Sequence, residues 1–514
     1  MIPHILTYLL FLPLIGAILV LLARRSADAA RWTGLAVSLV TFVLSLPLFF
    51  SYDPNNPAMQ FVEKVPWIPA LNVQYFIGID GISLLLVLLT TFLTPIVLVS
   101  SWRSITKNVA LYVALMLLLE TAMIGVFVSL DTFLFYVFWE MILVPMYFII
   151  GIWGGKDRIY ATVKFFIYTM VGSLLMLIAI IWLGYYASTL PGGQFTTDIV
   201  RLFDIAPTIP MSIQAWMFAA FALSFLIKVP AFPLHTWLPD AHVQAPTGGS
   251  VILAGVLLKM GTYGLIRFNL QLFPQSSIEY ASLLSVLGVV GIIYGALVSM
   301  VQRDVKKLVA YSSVSHMGFI LLGLFGMTIQ GMQGGLIQMI NHGLSTGALF
   351  LIVGMIYDRR HTRMIEDFGG LARQVPVFST FFLIVTLSSI GLPGLNGFVG
   401  EFLVLLGSFN SAVLGSIWYV VFAATGVVFA AVYMLWMFQR VVFGESRHAD
   451  NAKLVDLNWR EIGLLLPILL FIFWIGVYPS TFLSRTEASM QRVVDKLEQV
   501  RSGATPSSAA STQP

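Results

Sequence analysis

Eight ionisable side chains lie inside stretches of this sequence that are otherwise apolar enough for lipid: Glu120, Glu140, Lys164, Lys228, Lys259, His316, His342 and Glu401. A charge at bilayer depth costs a few kcal/mol or more, so such groups are rare, face protein or water, and mark ion paths or proton relays. Lys228 and Lys259 fall about mid-span, too deep for their stems to reach an interface easily. A lysine at that depth loads and releases a proton as a carboxylate partner approaches or withdraws. Glu140, in "FWEMILVPMYF", is the expected partner of Lys228, either as a working pair or as a static buried ion pair. His316 follows "AYSSVS" and His342 follows "QMIN". Either alone reads as a packed histidine in a polar neighbourhood. Two on consecutive spans, with the side chain whose ordinary pKa lies nearest neutrality, read as a relay. Glu120 is a fixed interhelical partner or a further charge carrier, and Lys164 lies close enough to a helix end to snorkel.

The stretch "SFLIKVPAFPLHTW", residues 224–237, adds two prolines to Lys228. Pro230 denies a donor to the Leu226 carbonyl and Pro233 to that of Val229, which is expected to leave two free acceptors beside the lysine. A broken helix survives in a membrane only where it lines a protein-enclosed or hydrated cavity. A second break is expected in "SSIGLPGLNGFVGEF", where Gly391, Pro393, Gly394 and Gly397 precede Glu401. In "HTWLPDAH", His235, Asp240 and His242 suggest zinc at first sight. Pro239 and the loop position argue against a tetrahedral site, and a capping and interface role is expected instead. No metal site and no cofactor site is expected in this chain.

The elements that position these groups follow from composition. With 58% hydrophobic and 10% charged residues over 514 positions, the chain reads as an all-α polytopic membrane protein. The net charge of +4 comes from scattered basic residues, so no nucleic-acid role is read. Zero cysteines remove disulfides, thiolate zinc, cysteine-ligated iron–sulfur clusters and c-type haem, leaving any redox chemistry to a partner. Apolar runs of about 20 residues, enough to cross about 30 Å of hydrocarbon, recur fourteen times: about 3–22, 32–50, 80–100, 109–129, 132–152, 162–186, 213–237, 247–268, 279–301, 307–326, 333–356, 377–406, 414–442 and 461–483.

Basic residues fall on alternate loops. The odd loops hold Arg24, Arg25, Arg31, Arg103, Lys107, Lys156, Arg158, Arg303, Lys306, Lys307, Arg359, Arg360, Arg363, Arg373, Arg440, Arg447, Lys453 and Arg460, the even loops only Lys64, Arg201 and Arg267. This bias predicts cytoplasmic odd loops and both termini outside. The first span has no basic residue ahead of it and reads as retained, not as a cleaved signal. Two interrupted spans five helices apart are the mark of paired repeats. The expected organisation is spans one to three (1–107), two inverted five-helix repeats each with a broken helix (108–270 and 271–445), span fourteen with a terminal surface helix (446–500), and a disordered tail (501–514).

The run "KVPAFPLHTWLPDAHVQAPTGGSVILAGVLLKMGTYGLIR", with "GLPGLNGFVGEF" farther on, resembles the antiporter-like subunits of respiratory complex I, the proton-translocating NADH:quinone oxidoreductase. The likeness is to its bacterial chain M type, counterpart of mitochondrial subunit four, and covers essentially all fourteen spans. The resemblance implies that Glu140, Lys228, Lys259 and Glu401 are proton-channel residues and that His316 and His342 are central-axis histidines. It implies partners in the membrane arm, the related chains L and N, and lipid. FMN, iron–sulfur clusters, NADH and quinone would belong to other subunits. The related L and N chains and the multisubunit cation/proton antiporters typically carry lysine at the position of Glu401, so the glutamate favours chain M. A subunit of such an antiporter is the alternative function. A non-conducting scaffold is the third reading, and mid-membrane charges with two broken helices give a scaffold nothing.

Overall fold

The computed structural model describes residues 2–446 and 448–503; Arg447 and the expected tail from 504 onward lie outside the described residues. Among the described residues thirteen helices are long and apolar enough to span a membrane, and two shorter apolar helices, Pro376–Ser389 and Asn396–Phe409, together occupy the expected twelfth span. In chain order the spans are Ile5–Leu22, Ala27–Ser51, Gly81–Ser100, Val109–Val128, Thr132–Trp153, Arg158–Thr189, Met211–Lys228, Thr247–Leu272, Ala281–Met300, Val305–Phe325, Ile329–Arg360, the broken twelfth, Trp418–Val442 and Trp459–Val477.

Hydropathy cannot sort these helices into inner and outer, because lipid is as apolar as a core. Burial does. The apolar windows of the eighth and eleventh spans are wholly buried, whereas those of the second and thirteenth are 33% buried. The buried helices include both strongly apolar and more polar ones, and Glu120, Lys228, Lys259, His316, His342 and Glu401 are all buried within the bundle. Close approach uses glycine. A Cβ on Gly288 of the ninth span would lie 2.9 Å from the Gly318 carbonyl of the tenth, and one on Gly318 would lie 2.5 Å from the Gly288 carbonyl, so the two backbones touch directly.

Span starts are capped by aspartates, which accept the orphan N–H groups that lipid cannot satisfy. Asp131 accepts from Phe133 and Leu134 at 2.9 and 3.1 Å, and Asp304 from Lys306 and Lys307 at 2.7 and 3.1 Å. Between the second and third spans, Gln60–Ile68 and Val73–Ile79 form an antiparallel hairpin that the span count passes over. Its Lys64 pairs with Asp198 at 2.7 Å. The expected terminal helix is longer than its periodicity suggested, Ser480–Ser502. It lies across the bundle end, where Ser489 Oγ accepts from the Gly81 amide at 2.9 Å and Lys496 donates to the carbonyls of Phe203 and Gln271 at 3.0 and 2.9 Å.

Three expectations are corrected. The seventh span does not run to residue 237. It stops at Lys228, which is the last helical residue instead of a mid-helix one, and a short helix, Trp237–Gln244, follows the break. The Leu226 carbonyl is not free, because the Ala231 amide reaches back to it at 2.8 Å. The Trp237 indole N–H likewise takes the Ile227 carbonyl at 2.9 Å. The prolines end the helix, but local donors recapture its last carbonyls. Finally, Arg267 is no loop residue: it is buried in the eighth span and bidentate to Asp80 at 2.6 and 2.7 Å.

Candidate functional site

The eighth span carries Lys259 between two π-helical segments, Leu253–Leu257 and Leu265–Asn269. Such bulges release carbonyls from the α ladder. Lys259 uses one, its ammonium donating to the Ala254 carbonyl. Its other neighbour is His342 of the eleventh span, whose Nδ1 lies 2.6 Å from Lys259 Nζ. The ring centroids of His342 and His316 are 5.6 Å apart. His316 Nδ1 in turn lies 3.2 Å from Glu401 Oε1. Lys259, His342, His316 and Glu401 thus form one buried line across the eighth, eleventh, tenth and twelfth spans, each group next to the one after it.

The twelfth-span break positions the end of that line. Its helices stop at Ser389 and restart at Asn396. At Gly391, with φ of +75°, an added Cβ would lie 2.6 Å from Glu401 Oε2, so glycine answers both the backbone conformation and the need for room beside the carboxylate.

Around the line lies a polar network that the list of ionisable residues missed. Gln338 donates to Glu401 Oε1 at 3.3 Å. Asn341 donates to the Asn396 carbonyl at 2.7 Å, and the hydroxyls of Ser345 and Ser388 are 2.6 Å apart. Ser388 also donates to Asn396 Oδ1 at 2.5 Å. A cavity of about 10 Å³ between His316, Gln338, Asn341, His342 and Ser388 has room for about one water. The signal was present: 338, 341, 342 and 345 follow a three-and-four spacing that places them on one face of the eleventh helix.

Glu140 and Lys228 are not joined in the same way. Among the described residues no carboxylate lies within ion-pair distance of Lys228. Its ammonium sits over the Trp139 ring, 3.9 Å from the centroid, and has no hydrogen-bond partner, and Glu140 Oε1 is likewise buried and unpartnered. Glu140 is still close enough for its charge to act on Lys228. The expected direct pair is therefore absent, and the side chain in contact with the Lys228 ammonium is the indole of Trp139.

Glu120 is fully buried, with the Thr94 hydroxyl of the third span as its polar neighbour, and it touches none of the four groups in the line. Lys164 pairs with Asp240 at 2.7 Å, which gives Asp240 the interface role expected of "HTWLPDAH". His242 of the same motif stacks on Phe350 with ring centroids 4.5 Å apart, and His235 lies against Tyr294. These three side chains are thus engaged with three different neighbours.

A family model described as NADH:quinone oxidoreductase/Mrp antiporter, TM, matches residues 129–449. NADH-quinone oxidoreductase subunit M of Rhodobacter capsulatus is 47% identical over 493 residues, covering 93% of this chain and 94% of that one. NADH-ubiquinone oxidoreductase chain 4 of Marchantia polymorpha is 43% identical, covering 95% and 96%. Among solved structures, a chain of respiratory complex I from Thermus thermophilus superposes with a TM-score of 0.84 at 31% identity, covering 95% of this chain and 99% of that one. With a family model over more than half its length and relatives of this identity along nearly all of it, the chain belongs to the membrane-subunit family of NADH:quinone oxidoreductase, as a relative of subunit M and chain 4.

Proposed function

We propose that this chain carries one proton path of a proton-translocating NADH:quinone oxidoreductase, through Glu140, Lys228, Lys259, His342, His316 and Glu401. The observation that carries the reading is the buried line from Lys259 to Glu401, in which direct contacts at each end meet across two imidazole rings whose centroids are 5.6 Å apart. A proton released by the Lys259 ammonium is taken by His342 Nδ1, 2.6 Å away. His342 Nε2, buried and unpartnered, is the other nitrogen of the same ring, so the histidine can pass a proton on toward His316. His316 Nδ1 faces Glu401 Oε1 at 3.2 Å, where the proton is held or passed on. No step forms or breaks a bond other than those to hydrogen.

Lys228 loads this line from the first repeat. Its ammonium moves between the Trp139 face and Glu140, and the charge on Glu140 sets how firmly Lys228 keeps its proton. The two units 108–270 and 271–445 are taken as inverted repeats, on the strength of breaks in the seventh and twelfth spans five helices apart. Glu120 and Lys164 are secondary members at most, since neither touches the line.

The charge bias of the loops supports cytoplasmic odd loops and both termini outside, in a bacterial cytoplasmic membrane. Neighbouring membrane-arm chains of types L and N are the partners, and FMN, iron–sulfur clusters, NADH and quinone belong to other subunits. A multisubunit cation/proton antiporter is the second reading; glutamate at 401, where such chains typically carry lysine, disfavours it.

The test is Glu401→Gln in the assembled complex, with proton pumping and NADH:quinone turnover measured on the same membranes. Loss of both in fully assembled complex is expected of a tightly coupled path. Retention of both overturns it. Glu140→Gln probes the coupling step separately, and normal pumping in that variant refutes charge control by Glu140.

A further inference from the structure

A groove of about 150 Å³ opens on the flank of the bundle between the second, third, eleventh and fourteenth spans. Its walls are apolar throughout, with Phe42 and Leu46 from the second span, Leu88 and Phe92 from the third, and Phe471 and Trp474 from the fourteenth. At one end, where the second and fourteenth spans stop, Phe49 and Phe482 form the rim. From Phe49 to Phe42 is seven residues of helix, so the groove runs about 10 Å below that rim, within the roughly 15 Å that half a bilayer core provides.

A cation closes the rim. The Arg485 guanidinium lies 3.8 Å from the centre of the Phe49 ring, and its nitrogens reach only backbone, the carbonyls of Phe49 at 3.4 Å and Thr481 at 2.5 Å. Arg492, two turns farther along the terminal helix on the same face, reaches the Pro57 carbonyl at 3.5 Å. Among the described residues no carboxylate pairs with either arginine. Burial beside Phe49 pulls the Arg485 guanidinium below its ordinary pKa with no carboxylate to offset it, which is the environment of a cation that lacks its anion.

We propose that this groove holds one acyl chain of an anionic phospholipid whose phosphate is taken by Arg485, with Arg492 beside it. The apolar walls exclude a polar ligand, and a helix about 10–12 Å across with its side chains is too thick for the space. An acyl chain gains little by leaving bulk lipid for an apolar groove, since both surroundings are equally apolar. Selectivity therefore rests on the headgroup, and Arg485 makes it a selectivity for negative charge.

The experiment uses the whole purified complex in phosphatidylcholine vesicles containing a minor share of one photoactivatable lipid. That lipid is either phosphatidylglycerol or phosphatidylcholine, each with a diazirine in its acyl chain, and labelled peptides are mapped after irradiation. The phosphatidylglycerol probe is expected to label residues 42–50 and 471–482 several-fold more than the phosphatidylcholine probe. Arg485→Gln is expected to erase that preference. Leu88→Trp, which fills the groove floor, is expected to lower labelling there by both probes while residues 421–432 of the exposed thirteenth span stay labelled as before. Equal labelling by the two lipids in the unaltered complex overturns the proposal, as does a preference that survives Arg485→Gln, or crosslinks from the groove to a neighbouring subunit. If Leu88→Trp prevents assembly, the Arg485→Gln comparison decides alone.

Discussion

Replacing Lys259 by methionine keeps a linear side chain of similar length and deletes the ammonium. The structure sets the two sides of the balance. Lys259 is fully buried, and its ammonium is held by the Ala254 carbonyl and His342 Nδ1 alone. Losing those bonds leaves one carbonyl and one ring nitrogen unsatisfied, at about 1–3 kcal/mol each. Against this, a buried ion without a carboxylate partner carries a desolvation penalty of several kcal/mol, which the methionine does not have. The two terms nearly cancel, so Lys259→Met is expected to leave the amount of assembled complex and its thermal inactivation midpoint unchanged, or slightly raised. Pumping is a different matter, because the line from Lys259 to Glu401 then lacks its first proton carrier. The assay is proton uptake per NADH oxidised in inverted vesicles, with assembled complex measured in the same sample. Loss of pumping in normally assembled, normally stable complex is the expected outcome. A complex that fails to assemble or melts far lower refutes the energetic reasoning, and full pumping per assembled complex refutes the path.

Asp80→Asn removes one charge of a buried bidentate pair and leaves Arg267 uncompensated, at a cost of about 3–5 kcal/mol; the expected result, read on a native gel, is a sharp fall in assembled complex. Gln338→Leu takes one of the donors from Glu401 Oε1 while His316 remains in contact; pumping in assembled complex is expected to fall less than with Glu401→Gln, and an equal or greater loss contradicts the order of contacts. Burial holds Lys496 down at about 8. Between about pH 8 and about 10.4, the ordinary value for lysine, the unfolded helix binds more protons than the docked one, so docking strengthens as pH rises through that window. Limited proteolysis of the terminal helix is expected to slow from pH 7 to pH 10 and to lose this dependence in Lys496→Met.

The spans were legible because length and apolarity alone define them, and the two breaks because proline and glycine interrupt a helix locally, although what becomes of the released carbonyls depends on neighbouring donors. The histidines and Glu401 were legible as ionisable groups in apolar surroundings. What the sequence hides is rotation and distance. Arg267 looks like any basic residue flanking a span, and only the fold brings Asp80, 187 positions away, against it. Lys228 and Glu140 have the right depths to pair, but the turn of the fifth helix presents Trp139 to the lysine instead. The π-helical segments around Lys259 leave no residue signature, since they are a shift in hydrogen-bond pattern and not a composition.

That arrangement makes the two ends of the proposed path unequal in an informative way. From Lys259 to Glu401 every group has its neighbour, and the surrounding amides and hydroxyls fix their positions. At Lys228 the partner is an indole face, and a desolvated cation–π contact is worth about 2 kcal/mol, much less than a buried charge pair at contact distance. The ammonium is therefore held shallowly, within reach of a carboxylate that would hold it more strongly. The backbone beneath it is not loose, because Ala231 and Trp237 recapture the carbonyls of Leu226 and Ile227. What is free to move at the broken helix is the lysine side chain and not the break. A gate needs a mobile charge on a fixed mount, and in the proposed path Lys228, unpartnered at the end of a helix whose last carbonyls are taken, fits that description.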